Sequence, residues 1–458
     1  MIHHLNLSFS CVSICIFLIL LSLSCSEPPS KEAMPVVSSD TTSKLSKVEI
    51  EKVDGKYDFY IDGEIFQVKG AGLDVDNGRN FKALKDAGAN SFRTWRTKDA
   101  EMELDSAIKY DLKIAMGIEM LKELHDFDYT DDAKTAAQFE DIKKQVQKYK
   151  DHPQLLCWVV GNELNLLFNE DGSLAAVNPK VYDALSDIVD YIHVVDPNHP
   201  VTTTFAGGAI GPHVEVVMER SPQLDFLSYQ VYNDLINLSK QEQKNNIDKP
   251  YLVTEFGPKG HWEMPTTSWG REIEENSTQK AEGLRERIKI GLQSDTTGRN
   301  MGGFAFVWGQ KQERTPTWYG IFNKDGRPIA VLDELTLFWS GKYPKDRAPA
   351  VKGMTLNGKV STESVMLKPD KVYTAAIDAF DHEGEKLEYK WAITEEVKAK
   401  SQGGEFEAEP RDVKIDIIKQ EGGQIEFRSP AKKGEYRLFA YTYDKEKVGT
   451  ANIPFLVL

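Results

Sequence analysis

Two glutamates in this chain follow apolar stretches that are typical of buried strands. Glu163 ends the segment LLCWVVGNE (155–163), and Glu255 lies near the end of YLVTEFG (251–257). Strands covered on both faces are continuous apolar runs, and barrel enzymes place reactive side chains at the carboxyl ends of such strands. Two carboxylates that flank a pocket, one protonated and one ionised, provide the acid and the nucleophile that cleavage of a glycosidic bond requires.

Eight apolar segments, separated by mostly helical patterns, must bring these two glutamates together. The segments span 66–74, 90–95, 113–119, 155–163, 201–206, 225–232, 251–257 and 302–309. This alternation predicts an α/β fold, a (β/α)8 TIM barrel, which we assign to residues 47–345. The weakest helical pattern is that of the fifth connection, near 211–220. Strands four and seven of such a barrel lie across its mouth from one another, so we expect Glu163 and Glu255 to converge.

The segments around both glutamates resemble those of the retaining β-glycosidases with (β/α)8 barrels, most closely the catalytic domain of glycoside hydrolase family 2. The resemblance extends over roughly residues 48–342. It includes NSFRTWR (90–96), LDSAIKYDLKIAMGIEM (104–120) and TPTWYGIFNKDGRP (315–328). Family 2 enzymes carry two β-domains before the barrel, for which this chain has no room. Its trailing β-domain resembles that of smaller barrel endo-β-1,3-glucanases with an immunoglobulin-like module.

The resemblance implies a catalytic pair and two supporting residues. Glu163 corresponds to the acid/base and Glu255 to the nucleophile of a double displacement. Arg93 corresponds to the arginine that braces the nucleophile, and Asn162 to the residue that bonds the sugar 2-hydroxyl. We expect the two carboxyl groups to lie about 5–5.5 Å apart, which is the spacing of retaining enzymes.

Three further residues are expected in substrate binding. Tyr232 lies where the clan often has a tyrosine near the nucleophile, and Gln230 faces the same way two residues earlier. Trp308 ends the eighth strand, where an aromatic platform for the bound sugar is usual. The insert at 258–278 is expected to build the substrate cleft. Further candidates for stacking on a sugar are Trp262, Trp269 and Trp318. The polar stretch 309–318 either contacts sugar hydroxyls or forms a solvated loop.

Charge and composition restrict the partners. The chain has 458 residues and a formal net charge of −15. Binding to nucleic acid or to an anionic lipid surface needs a basic patch, so this charge disfavours both and suits a carbohydrate substrate. The sequence contains no CxxC, no HExxH and no Gly-rich phosphate loop, so we expect no metal and no cofactor. We expect a monomer.

The N-terminus predicts export. Residues 12–23 (VSICIFLILLSL) form an apolar run with the length of a signal-peptide core, so we assign residues 1–24 to a signal peptide. Small residues before Cys25 resemble a bacterial lipoprotein signal, which implies lipidation of Cys25; the alternative is ordinary cleavage without a lipid. Residues 25–46 predict a flexible tether. The expected location is the bacterial cell envelope, lipid-anchored at the outer membrane or in the periplasm.

The C-terminal part has the pattern of a β-sandwich. Alternating apolar runs at 372–380, 387–393, 412–418, 424–429 and 436–444 are separated by turn signals. We assign residues 346–458 to an immunoglobulin-like sandwich, which serves most simply as a spacer or packing module. Trp391 is expected to be buried in it. Cys157 is the one cysteine after Cys25, so the mature chain has no intramolecular disulfide.

The expected function is that of a retaining β-glycoside hydrolase acting on a β-glucan, with β-1,3 linkages as one option. Family 2 itself implies an exo-acting β-galactosidase, β-mannosidase or β-glucuronidase. A transglycosylase would use the same residues, with a sugar in place of water as the acceptor. A non-catalytic glycan-binding lipoprotein predicts loss of one carboxylate, whereas both Glu163 and Glu255 are present.

Overall fold

The computed structural model describes residues 46–458 except 74–79, 172, 174, 209–211, 245–246 and 399–403. The expected signal peptide (1–24), Cys25 and nearly all of the expected tether lie outside the described residues. No described helix combines the length and the apolar character that crossing a lipid bilayer requires.

A three-stranded antiparallel sheet, absent from the sequence prediction, precedes the barrel. Its strands are β1 (Val48–Val53), β2 (Lys56–Ile61) and β3 (Glu64–Phe66). Phe59 of β2 is fully buried and packs edge-on against Phe226, with ring centroids 5.5 Å apart. Because Phe226 lies just before a barrel strand, this sheet covers the amino-terminal end of the barrel.

The barrel is a parallel sheet whose nine strand pieces make eight strands. In chain order these are β4 (Val68–Gly72), β5 (Ser91–Arg93), β6 (Lys113–Ile118), β7 (Leu155–Val160), β8 (Val201–Thr202), β9 (Thr204–Ala206), β10 (Leu227–Gln230), β11 (Tyr251–Phe256) and β12 (Asn300–Ala305). Their order in the sheet is β8-β7-β6-β5-β4-β12-β11-β10-β9. Only Thr203 separates β8, which pairs with β7, from β9, which pairs with β10. The predicted TIM barrel is therefore confirmed.

Eight α-helices within the described residues surround or follow the strands. They are α1 (Phe81–Asp86), α2 (Ala100–Tyr110), α3 (Asp132–Tyr149), α4 (Lys180–Val195), α5 (Pro212–Arg220), α6 (Leu238–Lys244), α7 (Ser277–Ile288) and α8 (Ala330–Ser340). Buried residues recur along α4 with the spacing of one helix face, at Leu185, Ile188, Val189 and Ile192. The helix start at α7 is fixed by Asn276, whose side chain accepts from the backbone N–H of Gln279 (2.9 Å). The weak fifth connection does contain a helix, α5.

The C-terminal part is an all-β sandwich, as predicted. Its strands are β13 (Ala350–Leu356), β14 (Met366–Leu367), β15 (Val372–Phe380), β16 (Glu388–Glu395), β17 (Asp412–Val413), β18 (Asp416–Glu421), β19 (Gln424–Arg428), β20 (Gly434–Tyr443) and β21 (Val448–Val457). They form one sheet in the order β13-β15-β19-β18 and another in the order β14-β21-β20-β16-β17. Trp391 is buried between the sheets. The strands β13, β14 and β21 were not predicted from the sequence.

Buried polar contacts join the sandwich to the barrel. The guanidinium of Arg437 in β20 donates to the carbonyl of Glu272 (2.9 Å) and to the side-chain oxygen of Asn452 (2.8 Å). Asn452 in turn donates to Oε2 of the buried Glu274 (2.6 Å). Buried charges are costly unless they are paired and hydrogen-bonded, so these contacts favour one arrangement of the two parts. The sandwich is thus packed on the segment that follows β11.

Candidate active site

A cavity of about 790 Å³ opens among the loops at the carboxyl ends of the barrel strands. This volume is within the usual range of roughly 300–1,000 Å³ for small-molecule sites. Its walls include Trp95, Glu119, Lys122, Asn162, Glu163, Gln230, Tyr232, Glu255, Trp262, Phe306 and Glu313. Five of the seven barrel residues expected in the site therefore line one cavity.

Three donors hold the Glu255 carboxylate. Oε1 accepts from Nη1 of Arg93 (3.2 Å) and from the indole N–H of Trp95 (2.7 Å). Oε2 accepts from the hydroxyl of Tyr232 (3.0 Å). A cation and three hydrogen-bond donors stabilise an ionised carboxylate and fix its orientation. Glu255 therefore has the surroundings that a carboxylate nucleophile needs.

Arg93 lies beneath the cavity and connects two of its residues. It is fully buried, and Nη1 also donates to the carbonyl of Thr254 (3.1 Å), while Nη2 donates to Oδ1 of Asn162 (3.1 Å). Burial lowers the pKa of Arg93, and the carboxylates of Glu255 and Glu163 act in the opposite direction. The planar guanidinium thus fixes the position of Asn162, after β7, relative to that of Glu255, near the end of β11.

The side-chain oxygen of Asn162 is surrounded by donors. Besides Arg93, it accepts from the amide of Gln230 (2.6 Å) and from the hydroxyl of Thr204 (3.3 Å). Because the carbonyl oxygen takes all these donors, the NH2 group is the part of the amide that is left to donate to a ligand. Within the described part of the chain, no group accepts from that NH2. Gln230 thus contacts Asn162 and orients it.

The backbone turns sharply where Glu163 leaves the barrel wall. Gly161 and Glu163 both have left-handed φ values, +73° and +51°. A Cβ atom at Gly161 would lie 2.7 Å from a side-chain carbon of Leu164, so this turn requires glycine. The backbone N–H of Glu163 donates to the hydroxyl of Thr204 (2.9 Å) in β9. A left-handed glutamate is uncommon and needs such support.

The carboxyl group of Glu163 has the opposite surroundings from that of Glu255. Burial raises the pKa of Glu163 to about 7, and the negative charges of Glu255 and Glu313 act in the same direction. Lys122 and Arg93 oppose this effect. Among the described residues, none hydrogen-bonds to the Glu163 carboxyl. A carboxyl group that stays protonated near neutral pH can serve as a general acid.

Glu313 is a third carboxylate in the cavity wall. Burial alone would raise its pKa, but a hydrogen bond to Nε2 of His261 and an ion pair with Lys311 outweigh burial and lower the pKa to about 2. Glu313 is thus ionised at any ordinary pH and already paired with the side chains of Lys311 and His261. Glu313 belongs to the polar stretch 309–318, so part of that stretch lies in the cavity wall.

The expected role of Trp308 in stacking on a sugar is wrong. Trp308 is fully buried, its ring packs against Phe322 and Trp339, and its indole donates to the carbonyl of Asn80 (3.2 Å). The eighth strand, β12, ends at Ala305, so Trp308 lies past the strand end and turns towards α8. Phe306 lines the cavity instead.

Sequence reasoning also missed Trp95, although a signal for it was present. Trp95 lies two residues after Arg93, and residues two apart on an extended chain face the same side. Trp262 also lines the cavity, with 62% of its surface exposed, whereas Trp269 and the buried Trp318 are not among the lining residues. The expected cleft insert therefore contributes one exposed aromatic side chain. In the described ranges, no cluster of three or more His, Cys, Asp or Glu could hold a metal ion.

Comparisons with known proteins agree with this fold. Residues 63–272 match the family model described as glycosyl hydrolases family 2, TIM barrel domain. No curated protein matches the chain. A solved structure of a calcium binding mutant of Bacteroides uniformis β-glucuronidase 2 matches with a TM-score of 0.50 and 15% identity, over 90% of this chain and 48% of that chain. The β-D-glucuronidase of Dictyoglomus thermophilum matches with a TM-score of 0.49 and 18% identity, over 65% of this chain and 54% of that chain.

These matches confirm the predicted resemblance to the catalytic domain of glycoside hydrolase family 2. The similarity to the family 2 TIM barrel domain extends over residues 63–272 of this chain. The chain spans about half the length of the two solved structures. At 15% identity, the likeness to the Bacteroides uniformis structure shows the fold alone.

Proposed function

We propose that this chain hydrolyses a β-glycosidic bond with retention of configuration, with Glu255 as nucleophile and Glu163 as acid/base. One observation carries the proposal: the two carboxyl groups line the same cavity in opposite surroundings. Three donors stabilise the Glu255 carboxylate, while burial raises the pKa of Glu163 to about 7. Retaining hydrolysis needs this division into one ionised and one protonated group.

The reaction follows in two balanced steps. A Glu255 oxygen forms a bond to the anomeric carbon while the bond to the leaving oxygen breaks, and that oxygen takes the proton of Glu163. Water then attacks the anomeric carbon of the glycosyl ester, Glu163 takes a proton from the water, and the Glu255 carboxylate leaves. Arg93, Trp95 and Tyr232 hold the carboxylate in line for attack and receive it again on release.

The free NH2 group of Asn162 supplies a donor beside the reacting carbon. Hydrogen bonds to the sugar 2-hydroxyl strengthen as positive charge develops on the ring, so they stabilise the transition state more than the bound substrate. Arg93 and Gln230 fix the Asn162 carbonyl oxygen, which directs the NH2 group towards the cavity.

The sugar is the less defined part of the proposal. The comparisons lend no support to the expected β-glucan, and the solved structures described above are β-glucuronidases by name. A glucuronate carboxylate would need a cation, but Lys311 and Arg314 in the cavity wall are already paired with Glu313 and Glu407. Within the described residues, Lys122 also lines the cavity and has no ion-pair partner. A β-glucuronide is therefore the second candidate, with Lys122 as its cation.

Azide rescue tests the two assigned roles. The Glu255→Gly variant should be inactive on aryl β-glycosides, and azide should restore release of the aryl group with formation of the α-glycosyl azide. The Glu163→Ala variant should give the β-glycosyl azide, because azide then attacks the glycosyl-enzyme. The control is Glu140→Gln on the exposed side of α3, which should match the unmodified protein. Azides of the opposite configuration would overturn the assignment.

A substrate panel tests the sugar. Aryl β-glucuronide, β-glucoside, β-galactoside and β-mannoside are compared with β-1,3-glucan and β-1,4-glucan, and products are followed by mass spectrometry. Cleavage of the glucuronide, lost in Lys122→Gln, would select the second candidate. Products longer than the substrate would identify a transglycosylase. If the unmodified protein bound one polymer without cleaving it, the proposed enzymatic function would be replaced by that of a glycan-binding protein.

A further inference from the structure

Part of the C-terminal sandwich reaches the catalytic cavity. Residues 404–411, which we call the 404–411 segment, lead into β17 of the sandwich. Gly404 and Glu405 at its start line the same cavity as Glu163 and Glu255. The wall of the cavity is therefore built by both parts of the molecule.

One side of the 404–411 segment is fixed to the loop after β12. Glu407 is only 3% exposed; its Oε1 accepts from the backbone N–H of Arg314 (2.7 Å) and from the amide of Gln312 (3.1 Å). Its Oε2 accepts from Nη1 of Arg314 (2.8 Å). Hydrogen bonds to a buried charge are strong and directional, so Glu407 sets the place of its neighbours in the segment.

The other side of the 404–411 segment meets the loop after β6. Oε1 of Glu405 lies 3.1 Å from Nδ1 of His125, which ends the short 3-10 turn Glu123–His125. Both side chains are about half exposed, so this contact contributes little to stability. The contact matters for the shape of the cavity wall. Glu407 joins the segment to the loop after β12, whereas Glu405 joins it to the loop after β6.

The contacts of the segment place Glu405 on the Glu163 side of the cavity. His125 belongs to the loop after β6, and β6 pairs with β7, the strand that leads to Glu163. Lys311, which pairs with Glu313, lies 3.8 Å from where a Cβ of Gly404 would be. In a retaining enzyme the acid/base lies on the side of the leaving group, opposite the nucleophile.

We propose that Glu405 is a specificity-determining residue that contacts the leaving-group unit of the substrate and disfavours an anionic substituent there. This inference rests on the proposed glycosidase function and adds the sandwich to the catalytic site. A carboxylate with one oxygen on His125 keeps acceptor capacity for sugar hydroxyls. An anionic group several ångströms away is repelled in a partly desolvated cavity.

Two matched substrates test the inference. The preferred β-linked disaccharide is either reduced at its reducing end to the neutral alditol or oxidised there to the anionic aldonate, so that the cleaved bond is the same. For the unmodified protein, kcat/KM should favour the alditol. In Glu405→Gln the ratio of the two kcat/KM values should fall about tenfold, as expected for loss of one nearby charge repulsion. The change should lie mainly in KM.

The control variant is Glu409→Gln in the same segment. Glu409 is exposed, pairs with Lys324 on the surface (2.7 Å) and does not line the cavity, so the ratio should stay unchanged. An equal ratio in Glu405→Gln and the unmodified protein would overturn the inference. Failure of the proposed function can be told apart from failure of this inference. If the proposed function were wrong, Glu255→Gly would keep its activity, with or without a change at Glu405. Thermal unfolding of each variant confirms that it is folded.

Discussion

The indole N–H of Trp95 donates to Oε1 of Glu255 over 2.7 Å, and the same oxygen accepts from Arg93. Arg93 is the last residue of the short strand β5 and Trp95 lies two residues beyond it; β4 and β12 separate β5 from β11 in the barrel sheet. The guanidinium of Arg93 also lies over the Trp95 ring, 4.8 Å from its centroid. Two residues on one strand end thus support the carboxylate together, so changes at either one should affect the same step.

We expect Arg93→Lys to lower kcat about 100-fold, which corresponds to a rise of ~3 kcal/mol in activation free energy. A lysine ammonium is a single point charge and cannot contact Glu255 and Asn162 in the planar geometry of the guanidinium. Steady-state kinetics on an activated aryl glycoside measures the effect. Arg220→Lys, which changes an exposed pair with Asp183, is the matched control. Equal kcat values in the two variants would contradict the role of Arg93.

The pH profile of kcat/KM should report the protonation of Glu163. A raised pKa of about 7 keeps the carboxyl group protonated below that pH, so activity should fall as pH rises through roughly 7. In Glu163→Gln the basic limb should disappear, and kcat for poor leaving groups should fall about 10²–10⁴-fold. An unchanged basic limb in this variant would assign the titration to another group.

Substitution of two tryptophans should change two different properties, stability for Trp308 and substrate binding for Trp262. Trp308→Ala should lower the free energy of unfolding by about 3–5 kcal/mol, since it empties a fully buried site. Trp262→Ala should leave stability within about 0.5 kcal/mol and raise KM, because its exposed ring borders the cavity. Urea unfolding and steady-state kinetics measure both quantities. A raised KM at unchanged stability in Trp308→Ala would restore the platform role of that residue.

Export and lipidation remain proposals that rest on the sequence. In a bacterial host, the full chain should incorporate labelled palmitate and sediment with membranes, and Cys25→Ala should abolish both. Cys157→Ala is the control, since this thiol is buried in the barrel. A Cys25→Ala protein that is still exported but soluble agrees with the lipid anchor. Export of an unlabelled native chain would favour ordinary cleavage.

The barrel was predictable because its strands are short apolar runs at regular intervals, and the Asn-Glu and Thr-Glu-Phe endings mark two of them. Glu163 and Glu255 follow from those strand ends. Asn162 and Tyr232 were implied by the resemblance to family 2, and Gln230 was expected because it faces the same way as Tyr232. Trp308 was misplaced because a local pattern does not show where a strand stops hydrogen bonding. The apolar run continues past Ala305, whereas the pairing of β12 does not.

Contacts between distant segments were beyond the sequence argument. Nothing in the residues around Glu405 indicates that they reach a barrel loop, because the contact depends on how the sandwich packs on the segment after β11. The sheet β1–β3 was absorbed into the barrel assignment, since its short strands have no helical partners to reveal a separate unit. Burial of Phe59 against Phe226 is visible only in three dimensions.

Ser46 and Val48 lie at the end of the barrel away from the cavity. The hydroxyl of Ser46 donates to the carbonyl of Pro153 (3.0 Å), just before β7, and the N–H of Val48 donates to the carbonyl of Asn198 (2.9 Å), before β8. A bead or sensor surface coupled at this end would leave the mouth of the barrel facing the bulk solution. Single-point immobilisation there should let even a long insoluble polymer meet the pocket without obstruction.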